Sequence, residues 1–341
     1  MLLWLLAPLP AGADKLDVYA LLTGKTVLMP TAVPRPPDSI IADVAADKTN
    51  DILKIEKALS EQGLEVVQDG PHFVRVFPKG ARDSLTNALL RGAELARSKE
   101  QEPVPVGMID FRQADSMQVL NIYAQMGQRT ILRPMTLPLP VITLKAQSAL
   151  SIKEFEYAVG IVFALNGVCL VEDGAKFVQV VPMWMRTEVK TGAPKPEPGA
   201  KLFDPKKLPS MGAPQTISPP HTEKERLEQE WERLRKAFDD FMRLQDPRKR
   251  SAQQLLTLYA DLAGKSAVPS QDLGGLAIWF HVQTPLTKSE LLYAIETTFT
   301  LHGLAIIPVD DRKVRLGRIS EVLRNVGGRL ERIPPSPHGV N

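Results

Sequence analysis

Three stretches of the chain carry one plan: LDVYALLTGKTVL over residues 16–28, LNIYAQMGQRTIL over 120–132 and LTLYADLAGKSAV over 256–268. Each runs on into a second half: ILKIEKALSEQGLEVV from Ile52, FEYAVGIVFALNGVCLV from Phe155 and LLYAIETTFTLHGLAII from Leu291. From Tyr19 to Gly63, Tyr123 to Gly167 and Tyr259 to Gly303 the separation is 44 residues every time, so the copies align without an insertion. Within that frame Ile55, Val159 and Ile295 share one column, and Leu59, Phe163 and Phe299 share another four residues on. That i, i+4 spacing marks the buried face of a helix. Asp47, Ser151 and Thr287 stand where the helix needs an N-cap, and Glu154 and Glu290 complete capping boxes in the second and third copies. The shared glycine then ends the helix in the left-handed conformation. Apolar pairs, an Asp-Gly turn at Asp69-Gly70 or Asp173-Gly174, and HFVRVFP or KFVQVVP read as a closing hairpin. One copy therefore predicts helix, strand, strand, helix, strand, strand. The second adds a leading strand in GMIDFRQA, around Ile109 and Phe111.

The frame orders the rest of the chain. The fold class is α+β: three small repeated modules, each two helices packed on short mixed β-sheets, plus an isolated charged helix and a Pro-rich linker. The modules span 14–80, 106–186 and 247–320. Residues 1–13 fit either a truncated signal peptide, since an apolar run precedes Ala11-Gly12-Ala13, or the edge of the first module. Residues 81–105 form a helical connector with Leu85, Leu89 and Ala93 on one side. Residues 187–220 hold eight of the chain's 29 prolines and predict an extended or disordered linker. Residues 321–341 form a flexible tail. The charged helix, 221–246, places Leu227, Trp231, Leu234, Phe238 and Phe241 at alternating spacings of four and three, a short heptad seam. These five are the candidate interaction surface, and two destinations stand open for them: the chain's own third module, or a partner.

Composition narrows the function. Of 341 residues 44% are hydrophobic, which excludes wholesale disorder. Lys and Arg number 42 against 39 Asp and Glu, a net charge of +3 without a basic tail, so nucleic acid is not the expected partner. No window is long and apolar enough for a transmembrane helix. One cysteine, Cys169, removes disulfide frameworks and multi-cysteine metal sites, and it reads as an inert core thiol. His281 and His302 lack a carboxylate or cysteine at ligand spacing. Gly24-Lys25-Thr26 and Gly264-Lys265-Ser266 imitate the end of a P-loop, but tyrosine stands where its first glycine is required, and they close a helix rather than open one. No cofactor, metal or catalytic residue is expected, and the chain reads as a non-enzyme.

TILRP, VITLKAQ and ALNGVCLVEDGAKFVQVVP, all between Ile109 and Pro182, resemble the first periplasmic domain of secretins, the ring-forming outer-membrane channels of type II secretion and type IV pilus systems. A related small domain occurs in TonB-dependent signalling receptors. The third copy follows the pattern up to Ile307 and departs from it in VDDRKVRLGR, and the first lacks a clear leading strand. A secretin's further periplasmic domains and its β-rich pore find no counterpart here, so the resemblance is to the front end alone. It implies protein–protein contact with envelope secretion or pilus proteins, including a secretin, assembly as a homo-oligomer or ring, and a periplasmic or outer-membrane-associated location. It supplies no catalytic residues. The alternatives from other classes are a nucleic-acid-binding repeat protein and an envelope ligand-binding protein.

Overall fold

The computed structural model describes residues 14–31, 33, 48–80, 103–195, 198–205, 223–242, 250–270 and 272–325. The signal-peptide reading of 1–13 and the connector helix over 81–100 lie outside them. The class is α+β, with helices and small mixed or antiparallel sheets.

The first copy contains α1 (Lys15–Thr23), β1 (Thr26–Leu28), α2 (Lys48–Glu61), β2 (Leu64–Asp69) and β3 (Phe73–Pro78). The second contains β4 (Asp110–Ala114), α3 (Ser116–Met126), β5 (Thr130–Leu132), β6 (Ile142–Lys145), α4 (Ile152–Leu165), β7 (Val168–Asp173) and β8 (Phe177–Pro182). The charged helix is α5 (Glu223–Met242). After it come α6 (Ala252–Ala263), β9 (Ser266–Ala267), α7 (Lys288–Leu301), β10 (Leu304–Asp310), β11 (Lys313–Arg318) and α8 (Ile319–Asn325).

Counted from its tyrosine, each copy places its second helix and the strands of its three-stranded sheet alike. Helices α2, α4 and α7 each have 14 residues and begin 29 positions after Tyr19, Tyr123 and Tyr259. The pairing agrees as well: Thr26 lies opposite Phe73, Thr130 opposite Phe177 and Ser266 opposite Lys313, each in a parallel ladder. The sheet orders are β1-β3-β2, β5-β8-β7 and β9-β11-β10. The local causes are those of the sequence. Ser151 with Glu154 and Thr287 with Glu290 form capping boxes at the starts of α4 and α7. Gly63, Gly167 and Gly303 have φ of 77°, 81° and 71°, a region where a side chain is strained. Their carbonyls accept the N–H of Lys79, Met183 and Ile319, which ties the far end of each hairpin to the helix terminus.

The chain divides into two compact units. One comprises Met1–Arg129, Pro138–Val171 and Val181–Val189; the other comprises Thr130–Leu137, Glu172–Val180 and Lys190–Asn341. In the first, Leu16, Tyr19, Ile55, Leu59, Val74 and Val76 build a core between α1, α2 and the β1-β3-β2 sheet. In the second, Leu255, Tyr259, Ile295, Phe299, Val314 and Leu316 build its counterpart. Tyr19 and Tyr259 each donate a hydroxyl hydrogen bond of 2.7 Å, to Glu56 and to Glu296, both 37 residues on. Burial, with these carboxylates beside them, raises both phenols above their ordinary range. The second copy has Gly160 at that position.

Four expectations need correction. The third copy has no second strand among the described residues; 276–286 makes only isolated bridges, Ser251 to Ala277 and Phe203 to Leu286. The segment 187–220 is not a disordered linker throughout: among its described residues Phe203 is 1% exposed and exchanges backbone hydrogen bonds with Leu286 in an antiparallel bridge. One aromatic residue in a Pro-rich stretch is enough to anchor it. Residues 319–325 are helical, so the tail begins later than 321. The charged helix is not isolated, since α5 packs on α6.

Candidate interaction surface

The seam on α5 is turned inward. Leu234, Phe238 and Phe241 are buried in the core of the second unit, and Trp231 is half-buried, its ring centroid 4.6 Å from that of Phe203. Phe203 also meets Phe238 at 5.3 Å, and Phe241 meets Phe280 edge-on at 5.9 Å. Lys201 Nζ lies 5.3 Å from the Trp231 ring, a cation–π contact at the exposed border. Of the five residues named from sequence only Leu227 remains open, at 56% exposure. The heptad spacing correctly signals a covered face but does not say what covers it. For Leu234, Phe238 and Phe241 the cover is the chain itself, the first of the two destinations open to the seam, while Leu227 stays exposed.

A different surface emerges from each unit taken by itself. In the first unit, helix α4 lies against the β1-β3-β2 sheet. The Tyr157 hydroxyl donates to Asp69, and its ring sits 5.6 Å from Phe73 at 56°. The Gln147 N–H donates to Thr26 Oγ1 at 3.1 Å, the Thr31 N–H to Asn166 Oδ1 at 2.9 Å, and His72 Nε2 lies 3.7 Å from Glu154. In the second unit, α7 lies against β5 and β8. The Tyr293 hydroxyl donates to Asp173, and its ring sits 5.6 Å from Phe177 at 58°. The Gln283 N–H donates to Thr130 Oγ1 at 3.3 Å, the Met135 N–H to His302 Nε2 at 3.0 Å, and Lys176 Nζ lies 2.8 Å from Glu290.

Each member of the second set stands at the same distance from its own tyrosine as its counterpart in the first. The two units thus contain one contact twice: a hairpin face carrying Thr, Asp and Phe receives a helix carrying Glu and Tyr. Its chemistry is that of recognition. The rings are tilted at 56° and 58° with centroids 5.6 Å apart, within the range where aromatic pairs are worth ~0.5–1.5 kcal/mol beyond area burial. The hydroxyl–carboxylate bond is charge-assisted and contributes ~1.5–3 kcal/mol. Burial and Asp173 raise the Tyr293 phenol above its ordinary range, which keeps it a donor. The two aspartates are satisfied differently. Asp69 pairs with Arg75 at 3.1 Å, whereas Asp173 accepts from Gln179 and from the N–H groups of Gly192 and Ala193.

Sequence reading missed this surface although every member lay within the repeat. Asp69 and Asp173 read as turn residues, Phe73 and Phe177 as strand, and Tyr157 and Tyr293 as helix. The available signal was a polar residue recurring in a column that faces away from its own module's core.

Cys169 is buried in β7, and burial pushes its thiol up, away from the reactive thiolate. Gly264 has φ of 69° and caps α6, so the Gly-Lys-Ser tripeptide closes a helix. Among the described residues no group of three or more His, Cys, Asp and Glu is arranged to hold a metal ion, and no helix is long and apolar enough to cross a membrane.

No protein-family model, no curated protein and no solved structure matches this chain.

His302 gives the second contact a pH dependence. Its Nε2 accepts the Met135 N–H, so the proton sits on Nδ1, 2.8 Å from the Thr298 carbonyl. Burial, and to a lesser degree the nearby Arg133, pull the imidazole below its usual value of 6.5. The unfolded chain therefore binds this proton more readily than the folded one, and stability is full above pH 6.5 and falls below it. His281 is depressed by burial in the same direction. Urea midpoints should drop as pH is lowered from 7 to 5, a range set by the ordinary histidine value of about 6.5. His302→Gln, which keeps an acceptor, should flatten that drop; an unchanged slope would contradict the assignment.

Proposed function

We propose that this chain is a non-enzymatic assembly protein of the bacterial cell envelope. Its three copies are secretin-type modules that make protein–protein contacts within a type II secretion or type IV pilus-like apparatus, in the periplasm or at the outer membrane. The observation that carries the reading is the twice-used contact, in which a hairpin face receives a helix in the same register with the same residue types. A surface reproduced in this way is suited to docking one module on another. The resemblance to secretin front ends supplies the envelope setting.

The test is made in the organism that encodes the chain. An epitope-tagged copy should fractionate with periplasmic or outer-membrane material and cross-link in cells to a secretin, and deletion of the gene should stop secretion or pilus display. Recovery from the cytoplasm, with secretion and pili intact in the deletion strain, would overturn the reading.

A further inference from the structure

The contact found in each unit is heterologous: the face it uses on one module differs from the face it uses on the other. Contacts of this kind repeat head to tail, closing into a ring or running on as a filament, and within a row of three modules they leave one unused copy of each face at the ends. Among the described residues the unused hairpin face is that of β9, β10 and β11, and the unused helix face is that of α2. We propose that a second copy of this chain docks α2 onto the β9–β11 face of the first, extending the same contact head to tail. The inference deepens the assembly reading and rests on it.

The residues on the two faces carry the argument. Thr26 and Thr130 are covered in the internal contacts, and their equivalent Ser266 keeps the hydroxyl and is exposed. His72 and Lys176 are followed by a third basic residue, Arg312, which is also exposed. On the helix side Asn166 and His302, which accept a backbone N–H, are matched by Gln62, again an exposed acceptor. At the position of Tyr157 and Tyr293 stands Leu53, 59% exposed, whereas the neighbouring Ile52 and Ile55 are turned to the core. Where Asp69 and Asp173 would receive that side chain, β10 has a bulge that brings in Val309, 51% exposed. A buried hydroxyl–carboxylate pair is thus exchanged for an apolar pair, and both members lie open to solvent in the single chain. Two further positions depart from the internal contacts: Lys313 replaces phenylalanine, and Asn50 replaces glutamate opposite the basic residue. These departures remove the ring contact and the ion pair, so the association is weaker than the internal contacts and depends on concentration.

Sedimentation velocity of the full chain across a range of concentrations should show monomers passing into dimers and longer species. Leu53→Asp should abolish this while leaving the circular dichroism spectrum unchanged, because Leu53 is outside the core. Asn50→Glu combined with Lys313→Phe brings back the glutamate and phenylalanine of the internal contacts at those two positions and should tighten association at least about tenfold, the worth of one charge-assisted hydrogen bond. Leu53→Cys mixed with Val309→Cys should give a disulfide-linked dimer under copper phenanthroline, and neither variant alone should do so; Cys169 is buried and does not compete. Monomers at every concentration for both the natural chain and the Asn50→Glu/Lys313→Phe variant would overturn the proposal. Cross-linking of either cysteine variant with itself would also overturn it, since that requires a symmetric face. Neither result alters cross-linking to a secretin in cells, so the two readings fail separately.

Discussion

Phe238→Ala is expected to destabilise the second unit by about 3–5 kcal/mol, the range for truncating a fully buried phenylalanine. The ring is 0% exposed, stacks on Phe203, and sits among residues of α5 and α6. Its removal opens a cavity and frees the one aromatic anchor of the segment around 203, so the loss exceeds simple transfer. Urea unfolding followed by tryptophan fluorescence reports it, because Trp231 and the buried Trp279 both lie in this unit. Leu227→Ala on the same seam should shift stability by less than about 0.5 kcal/mol, as expected for an exposed side chain. Equal effects of the two substitutions would mean that α5 is held by something other than the packing described.

Asp173→Ala is expected to cost about 3–5 kcal/mol, comparable to removing one partner of a buried charged pair. The carboxylate is 1% exposed and is the acceptor for four donors: the Tyr293 hydroxyl, the Gln179 amide and the N–H groups of Gly192 and Ala193. Each donor left unsatisfied in a buried place costs ~1–3 kcal/mol. Asp173→Asn keeps the shape and one acceptor oxygen, so it should lose roughly half as much. If alanine and asparagine were equally mild, the aspartate would not be organising the contact. Asp69→Ala should also be severe, for a different reason: it strands the buried guanidinium of Arg75.

What could be read from sequence was local. Ser151 with Glu154, Thr287 with Glu290, and the glycine 44 residues after each tyrosine fix helix starts and stops through bonds spanning a few residues, and the structure has helices at those places. The α+β class follows from that punctuation and from the hairpins. What could not be read was the partner of a face. The seam Leu234, Phe238 and Phe241 announces burial, but Phe203, some thirty residues upstream in a Pro-rich stretch, is the residue that completes it. Tyr157 and Asp69 are 88 residues apart, and Tyr293 and Asp173 are 120 apart; no periodicity connects such pairs. The lost strand of the third copy has the same origin. Its apolar run Ile278–Val282 resembles a strand by composition, yet its backbone bonds go singly to Arg250 and, further on, through Leu286 to Phe203.

One hairpin-on-helix contact is used twice in this chain, and double-mutant cycles on its ring pair measure it in both places. Phe73→Leu with Tyr157→Leu, and Phe177→Leu with Tyr293→Leu, should each give a coupling energy of about 0.5–1.5 kcal/mol. The two values should agree within about 0.5 kcal/mol, because the centroid distance is 5.6 Å in both and the ring angles are 56° and 58°. A coupling in one cycle and none in the other would show that the two contacts are unlike, and would contradict the account.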